Sequence, residues 1–375
     1  MSTFAAMEAQ KVIISQQLEA TLEAAMGDCE RDRLFILTDE NTHRLCLPVV
    51  EDYRCLRGAN IIEIGATDTN KTLESISHVW TKLQKGGATR HSLMINLGGG
   101  MVTDLGGFAA STFKRGMNYI NIPTTLLAMV DASVGGKTGI NFGGLKNEIG
   151  VFSNANSVIL DTVFLRTMDK ENILSGYAEM LKHGLISPTP EGKTPGEGML
   201  SELLSFPVTD EGSLESTDFR RMLAESVAVK QQIVTEDPNE HGIRKALNLG
   251  HTIGHAFESF AMNYGSSTRS VSPILHGYAV AYGLICELYL SSVKCSFPTE
   301  TMRQTVRFIN DNYDHLPISC DDYPILLELM THDKKNTAGE INFTLLGNVG
   351  DIRINQTASR EEIEAALDFY RDGLG

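Results

Sequence analysis

Short apolar runs alternate with longer segments of helical periodicity from the N-terminus to about residue 165. Six such runs, rich in Ile, Leu and Val, cover residues 12–14, 34–37, 61–64, 93–96, 119–122 and 158–160. Strands that alternate with helices predict an α/β domain with a largely parallel sheet. Because ligands of such sheets lie beyond the carboxyl ends of the strands, we expect binding residues directly after these runs.

Beyond about residue 168 the pattern becomes mainly helical. Helical periodicity covers residues 171–186, 222–234 and 276–292, and residues 187–217 form an excursion rich in Pro, Gly and Ser. Strand character returns at residues 341–354, where we expect a hairpin around Gly347 and Asn348. We therefore predict two domains, residues 1–168 and residues 169–375, the second mainly α-helical.

Residues 244–258, which read R-K-A-L-N-L-G-H-T-I-G-H-A-F-E, carry the least ordinary pattern in the chain. On one helix, a polar face would consist of Arg244, Asn248, His251 and His255, and an apolar stripe of Leu249, Ile253, Ala256 and Phe260. Two histidines four residues apart can share a metal ion, although a hydrogen-bonded structural pair fits the spacing equally well. No glutamate lies between them, which argues against a metalloprotease of the H-E-x-x-H type.

Composition narrows the classes of partner. The chain has 375 residues and a formal net charge of -15, which argues against nucleic acid or an anionic membrane surface as the main partner. An anionic substrate must therefore meet locally clustered cations. The six cysteines form no C-x-x-C pair, and no segment has the pattern of a signal peptide or the apolar length of a membrane span. We expect a soluble, cytoplasmic protein with reduced thiols.

Acids, amides and glycines follow two of the apolar runs. Asp39 and Asn41 come after the second run, where an acid either binds a ribose hydroxyl or caps the next helix. Three consecutive glycines, residues 98–100, come after the fourth run. A glycine turn between a strand and a helix lets the backbone approach a pyrophosphate, although an ordinary tight turn has the same composition.

A second glycine-rich region begins at residue 131 and reads D-A-S-V-G-G-K-T. It resembles a Walker A loop, but Asp131 stands where that motif requires its first glycine, which disfavours a P-loop nucleotidase. Lys137 beside two glycines still suits a phosphate. Lys146 and Asn147 follow within residues 139–150, where the density of glycine predicts an irregular surface loop.

Several charged residues in the second half have both an ordinary and a functional interpretation. Glu179 and Lys182, three apart on a predicted helix, form either a weak surface ion pair or part of a metal site. Lys230 fits a solvated helix face, and His276 fits a helix start. Lys334 belongs to a short charge run, residues 332–335, that is solvated in the simplest interpretation.

Taken together, these segments resemble the 3-dehydroquinate synthase family of sugar-phosphate cyclases. The most specific blocks are G-G-G-M-V-T-D-L-G-G-F at residues 98–108, P-T-T-L-L-A-M-V-D-A-S-V-G-G-K-T-G-I-N at residues 123–141, L-N-L-G-H-T-I-G-H-A at residues 247–256 and H-G-Y-A-V at residues 276–280. The resemblance implies an α/β NAD-binding domain with a largely parallel sheet at residues 1–168. It implies a mainly α-helical domain that binds metal and substrate at residues 169–375.

The resemblance also implies an activity. Members of the family convert 3-deoxy-D-arabino-heptulosonate 7-phosphate into 3-dehydroquinate and phosphate on the shikimate route to chorismate. The implied steps are transient oxidation by NAD, β-elimination, reduction and intramolecular aldol closure, with zinc or cobalt as the metal. A homodimer is implied because the arginine that matches Arg115 reaches the phosphate from the neighbouring subunit.

Site residues carry over from the matched motifs. The implied metal ligands are Glu179, His251 and His276. The implied substrate residues are Lys137, Asn147, Asn248, His255 and Lys334 for the phosphate, Lys230 and Arg244 for the carboxylate, and Asp131 and Lys182 for the ring hydroxyls; Asp131, Lys182, Lys230, Arg244 and His255 form the catalytic group. For NAD the resemblance selects Asp39, Asn41, Asp68, Lys71, Gly99, Gly100, Met101, Asp104, Thr124, Thr125, Lys146 and Thr167.

The chain departs from the family pattern in two single residues and one four-residue segment. Tyr278 stands where Glu usually follows His-Gly, Asp68 replaces Glu, and residues 142–145 read F-G-G-L instead of H-P-L-G. The alternatives are another sugar-phosphate cyclase, a metal-dependent polyol dehydrogenase of related fold, and a non-catalytic NAD-binding protein. A polyol dehydrogenase has no use for so many anion-binding residues, and a substrate without a carboxylate would not need both Lys230 and Arg244.

Overall fold

The protein is described by a computed structural model that covers residues 10–29, 31–188, 198–210, 212–238, 240–263, 273–331 and 341–373. Lys334, assigned to the substrate phosphate above, lies outside the described residues. The chain forms two compact units, Met1–Asp169 and Lys170–Gly375.

The first unit is built on a six-stranded sheet in which all paired strands run parallel. Its strands are β1 (Val12–Ile14), β2 (Leu34–Asp39), β3 (Asn60–Ile64), β4 (Leu93–Gly98), β5 (Asn118–Pro123) and β8 (Ser157–Leu160), in the order β1-β8-β5-β4-β2-β3. Each of the six predicted runs forms one of these strands. The central strands are buried on both faces, which is why they appear in the sequence as mainly apolar runs; the buried amides of Asn96 and Asn121 hydrogen-bond each other. The predicted parallel sheet is confirmed.

The strand order reverses between β2 and β4. After β2 the chain adds β3 on one side, and it then returns to place β4 on the other side of β2. The helices of this unit are α1 (Leu18–Gly27), α2 (Glu40–Leu45), α3 (Leu47–Val50), α4 (Leu73–Lys85) and α5 (Gly100–Thr112). Because α2 begins directly after β2 and α5 directly after β4, the residues selected for NAD in these segments border the reversal, where open parallel sheets bind ligands.

Residues 139–150 form a hairpin, so the expected irregular loop is wrong. Strands β6 (Lys137–Phe142) and β7 (Leu145–Phe152) pair antiparallel, and Gly143 and Gly144 turn between them at φ values of 60° and 81°. Gly139 lies opposite Gly150, where a side chain on either glycine would overlap the facing backbone. The glycines that gave this segment the composition of a loop are therefore the residues that permit the turn and the close pairing of β6 with β7.

The second unit is mainly helical. It contains α6 (Lys170–Ile186), α7 (Met199–Ser205), α8 (Thr217–Glu236), α9 (His251–Asn263), α10 (His276–Cys295), α11 (Thr299–Asn312), α12 (Tyr323–Thr331) and α13 (Arg360–Asp372). The predicted late hairpin is present as β9 (Asn342–Asn348) and β10 (Asp351–Thr357). Its turn falls at Val349 and Gly350 instead of Gly347 and Asn348, and Gly350 supplies the left-handed φ of 77°. Within the described residues, no helix has both the length and the apolar character to cross a bilayer.

The single helix expected over residues 244–258 is broken in two. A 3-10 helix covers Ile243–Asn248, Leu249 is extended, and Gly250 has a φ of 78° before α9 begins at His251. Arg244 and Asn248 therefore do not share a helix with the two histidines. The expected apolar stripe is nevertheless buried in full.

Glycines bring α6, α9 and α10 into backbone contact. A Cβ on Gly277 of α10 would overlap the carbonyl of Ser175 in α6, and a Cβ on Gly283 would overlap the carbonyl of Gly250. One on Gly254 of α9 would lie 2.7 Å from the carbonyl oxygen of Ala279. The three helices that carry the predicted metal ligands thus approach more closely than side chains would allow.

Candidate metal and cofactor sites

The second unit brings Glu179, His251 and His276 together. Glu179 lies within α6, and the two histidines are the first residues of α9 and α10. The Nε2 atoms of His251 and His276 lie 3.5 Å and 3.6 Å from Oε1 of Glu179. Two ligand atoms at about 2.0–2.1 Å from a tetrahedral ion are about 3.4 Å apart, so the spacing suits zinc or a similar ion.

Both imidazoles are oriented by a contact at the opposite ring nitrogen. Nδ1 of His251 donates to the carbonyl of Leu249 at 3.0 Å, which leaves the lone pair on Nε2. Nδ1 of His276 lies 3.3 Å from a carboxylate oxygen of Glu258. A carboxylate or carbonyl behind a histidine fixes its tautomer and raises its basicity as a ligand. Glu258 was missed in the sequence, although it lies seven residues after His251 on the same face of α9.

Glu179 is fully buried, and its two oxygens have different surroundings. Oε2 pairs with the ammonium of Lys182, which is also buried, so a weak surface ion pair is excluded. Oε1 has no hydrogen bond from any residue that the structure describes, because the two imidazoles are too distant. Burial alone would raise the pKa of Glu179, but Lys182 and His276 outweigh it and hold the pKa well below its usual range. An ionised carboxylate oxygen that faces two imidazole Nε2 atoms fits a divalent cation.

The pKa of His276 is shifted in the opposite direction, upward. Its partial burial disfavours the imidazolium, but the carboxylates of Glu179 and Glu258 favour it more strongly and raise the pKa of His276 to about 9. A proton and a metal ion therefore compete for this ring.

Two further cations of the second unit are buried. The side chains of Lys230 and Arg244 are 6% and 3% exposed, so the interpretation of Lys230 as a solvated lysine is wrong. One Nη of Arg244 donates to the carbonyl of Pro238 at 2.7 Å, and its backbone N–H donates to Asp237 at 3.1 Å. The assignment of Lys230 and Arg244 to a substrate carboxylate remains a prediction.

Asn248 and His255 lie on either side of the break in residues 244–258. The amide of Asn248 donates to the carboxylate of Glu240 at 3.3 Å, and Glu240 has a left-handed φ of 60°. The ring of His255 lies 5.3 Å from that of His251 and 5.9 Å from that of His276, between centroids. A ring nitrogen of His255 lies close to potential metal-ligand atoms of Glu258 and His276. Nothing in the sequence marked Glu240, which lies in no periodic segment.

The glycine turn of the first unit has the features of a dinucleotide site. Gly99 is the N-cap residue of α5, and a Cβ there would lie 3.2 Å from the side chain of Thr125. A Cβ on Gly106 would overlap the side chain of Asn96 in β4, so this glycine lets α5 pack closely on the sheet. The first N–H groups of α5, including that of Met101, are thus presented at the end of β4, as pyrophosphate binding requires.

The acids selected for NAD already have partners in the protein. Asp39 caps α2 by accepting from the backbone N–H of Thr42 at 2.7 Å, which agrees with the cap interpretation. Asp68 accepts from the amide of Asn141 at 3.0 Å. A ribose contact at either position remains a prediction. Three other selected residues lie in segments that follow strands: Asn41 in α2, Thr124 directly after β5, and Thr167 at the end of the 3-10 helix Thr162–Thr167, where its hydroxyl donates to the carbonyl of Phe164.

Lys71 hydrogen-bonds to one residue predicted to bind NAD and to one predicted to bind the substrate phosphate. Its buried ammonium donates to Asp104 at 2.7 Å and to the side chain of Asn147 at 2.5 Å. Lys71 and Asp104 were selected for NAD, as was Lys146, whereas Asn147 was selected for the substrate phosphate. Asn147 is held in this contact with a left-handed φ of 52°.

The stretch around Lys137 is not a P-loop. Asp131 lies in a π-helical segment, Ala128–Ala132, and Gly135 and Gly136 have φ values of 106° and 67°. Lys137 then opens strand β6, whereas the lysine of a P-loop stands at the start of a helix.

Arg115 projects from a strained turn at the end of α5. Lys114, Arg115 and Gly116 have φ values of 51°, 69° and 117°, and the arginine side chain is exposed. Two successive non-glycine residues in the left-handed region are costly, and such strain is often found where a side chain has a function.

Comparison with known proteins assigns the family. The family model described as 3-dehydroquinate synthase N-terminal matches residues 61–175, and the one described as 3-dehydroquinate synthase C-terminal matches residues 176–336. The chain belongs to the 3-dehydroquinate synthase family. A 3-dehydroquinate synthase of Parabacteroides distasonis is 52% identical over 98% of this chain and 100% of its own length. One of Oceanobacillus iheyensis is 37% identical over 90% of this chain and 89% of its own.

Solved structures support the fold of the family. A 2-epi-5-epi-valiolone synthase of Streptomyces hygroscopicus, solved with NAD+ and Zn2+ bound, is similar with a TM-score of 0.80 and 23% identity, over 99% of both chains. A 2-deoxy-scyllo-inosose synthase, solved with NAD+ and Co2+, gives 0.77 and 21%, over 97% of this chain and 96% of its own. At these identities the likeness concerns the fold alone.

Proposed function

We propose that the protein converts 3-deoxy-D-arabino-heptulosonate 7-phosphate into 3-dehydroquinate and phosphate, as a phosphate-eliminating carbon–oxygen lyase of the shikimate pathway. The observation that carries the proposal is the buried carboxylate oxygen of Glu179 facing two imidazole Nε2 atoms, in a chain of this family. The overall reaction proceeds by transient oxidation, β-elimination, reduction and intramolecular aldol closure.

Two cofactors serve this reaction. NAD, when bound, supplies reversible hydride transfer, and a divalent zinc or cobalt ion supplies Lewis acidity. Glu179, His251 and His276 hold the ion. The NAD residues belong to the first unit: Asp39, Asn41, Asp68, Lys71, Gly99, Gly100, Met101, Asp104, Thr124, Thr125, Lys146 and Thr167.

The remaining residues bind and orient the substrate. Arg244, a planar guanidinium, and Lys230 hold the carboxylate, and Asp131 and Lys182 hold ring hydroxyls and the protons on them. The phosphate is bound by Lys137, Asn147, Asn248, His255 and Lys334, with Arg115 of the neighbouring subunit. Cations around the phosphate stabilise it as a leaving group, and a fixed orientation of the ring favours aldol closure over side reactions.

We also propose that the protein is a homodimer and that it is located in the cytoplasm. The exposed Arg115 and the exposed apolar side chains of the β6–β7 hairpin support an interface: Phe142, Leu145, Val151 and Phe152. Co-expression of Arg115→Ala with Lys137→Ala tests it by complementation. If Arg115 acts in trans, heterodimers contain one intact site and the mixture regains about one quarter of wild-type activity. Activity no higher than that of the single variants would argue against the shared site.

The decisive assay measures phosphate release from the heptulosonate phosphate in the presence of NAD and zinc. We expect stoichiometric phosphate, no net NADH, and catalytic amounts of NAD to suffice. NADH accumulation with a simple polyol would instead support a dehydrogenase, and NAD binding without phosphate release a non-catalytic protein. His251→Ala should abolish release, whereas His78→Ala, an exposed histidine on α4, should not.

A further inference from the structure

The first turn of α9 is capped by a side chain from another helix. Gly250 is the residue before α9, and its N–H donates to Oε2 of Glu287 at 2.6 Å. The N–H groups of Thr252 and Ile253 donate to Oε1 of the same carboxylate at 3.0 Å and 3.1 Å. Glu287 lies in α10 and is fully buried.

The Glu287 carboxylate alone accepts the hydrogen bonds that two separate side chains accept in a capping box. In the usual motif a side chain at the N-cap accepts from the third helical N–H, and the third side chain accepts from the N-cap N–H. Here the N-cap residue is Gly250, which has no side chain to offer. A negative charge at this end of α9 also interacts favourably with the helix dipole.

The three N–H groups that donate to Glu287 belong to residues on both sides of His251 in the sequence. Residues 250, 252 and 253 are held by Glu287, and Nδ1 of His251 is held by the carbonyl of Leu249. Both the backbone and the ring of this histidine are therefore fixed. Since α10, the helix that carries Glu287, begins with His276, the same carboxylate ties one proposed ligand helix to the other.

We propose that Glu287 is a positioning residue for the metal ion, which fixes His251 relative to His276 and thereby sets the affinity for the ion. The inference rests on the proposed metal role of Glu179, His251 and His276. Glu287 itself contacts backbone N–H groups and acts on the ion only through His251. A carboxylate that served stability alone could be weakened without changing the metal site in the folded protein.

Glu287→Gln tests the proposal. The amide matches the carboxylate in size, but its NH2 group faces a backbone donor, so at least one of the three bonds is lost. The metal-free protein is titrated with Co2+, and binding is followed by the visible ligand-field absorption of the ion, which reports geometry as well as affinity. We expect Co2+ affinity to fall about 10- to 100-fold with an altered spectrum, as for other residues that orient ligands.

Ser291→Ala is the matched control. Ser291 is also buried in α10, where its hydroxyl donates to the main-chain carbonyl of Glu287 at 2.7 Å and accepts from the N–H of Leu346 at 3.0 Å; both bonds involve main-chain atoms and neither involves the Glu287 carboxylate. This variant should lose thermal stability but keep wild-type Co2+ affinity and spectrum. If Glu287→Gln does not fold, Glu287→Asp keeps the charge with a shorter reach and should show the same loss of affinity.

Wild-type affinity and spectrum in folded Glu287→Gln or Glu287→Asp would overturn the proposal. Glu179→Gln separates this failure from a failure of the proposed metal site. If Glu179→Gln also binds Co2+ as the wild type does, the ion is bound elsewhere. If only Glu179→Gln loses the ion, the metal site stands and Glu287 is a structural cap.

Discussion

At the residue scale, the site depends on the two unequal oxygens of Glu179. Oε2 is paired with Lys182, so Oε1 is the oxygen available to an ion. Removing one partner from a buried ion pair is costly because the other charge is left uncompensated. Glu179 therefore contributes to stability as well as to metal binding, and tests of its role must measure both.

Glu179→Gln should abolish stoichiometric metal binding and lower phosphate release at least about 100-fold. The reason is the loss of the only anionic ligand of the proposed three. Metal content of the purified variant, measured by atomic emission alongside the thermal midpoint, checks it. Glu300→Gln, an exposed glutamate in the first turn of α11, should keep both metal and activity.

Metal affinity should rise with pH because of His276. Its pKa in the metal-free protein is raised to about 9 by Glu179 and Glu258, so at neutral pH an ion must displace one proton. Between pH 7 and pH 8 the zinc affinity should increase about tenfold and should level off above the pKa. Competition with a chromophoric chelator at several pH values measures this. Glu258→Gln removes one cause of the raised pKa and should move the rise to lower pH.

Arg244→Ala should raise KM and lower turnover, with a loss of roughly 2–3 kcal/mol in kcat/KM for a charge-assisted contact. Arg244→Lys should recover little, because a lysine lacks the planar fork. Lys245→Ala is the matched control, since its ammonium bonds Asn355 instead. Steady-state kinetics with wild-type values in Arg244→Ala would contradict the assignment of the carboxylate.

At the element scale, periodicity predicted where helices and strands lie but not where they break. The pattern of residues 244–258 fits one helix because side-chain spacing does not report φ, and Gly250, at the break, bonds to Glu287, a residue distant in sequence. The β6–β7 hairpin was missed for a related reason. Glycine has no side chain to contribute to an alternating pattern, so a strand rich in glycine has the composition of a loop.

Gly250→Ala tests the break. The substitution forces alanine to a φ of 78° and places its Cβ 2.9 Å from Leu284. Gly58 has a nearly equal φ of 77°, and a Cβ there would meet no atom within 4 Å, so Gly58→Ala isolates the backbone cost. We expect about 1–2 kcal/mol for Gly58→Ala and a larger loss for Gly250→Ala, measured by denaturant unfolding. Equal losses would mean that the packing at Gly250 can relax.

At the scale of the whole molecule, the sheet was predictable because each of its strands contains a short, mainly apolar run. The candidate metal site was less predictable from the sequence. Glu179, His251 and His276 are far apart in sequence, and only the resemblance to a family joined them. The burial of Lys182 and Lys230 could not be predicted from local pattern, because a lysine on a helix is solvated in most proteins.

The glycine contacts among α6, α9 and α10 have a consequence for the choice of ion. Since these helices touch through main-chain atoms, the backbone limits how far apart the three proposed ligands can lie. Trimming apolar side chains in the surrounding core should therefore lower the melting temperature while leaving the ranking of zinc, cobalt and larger cations unchanged. Substitution of these glycines, in contrast, should change the ranking.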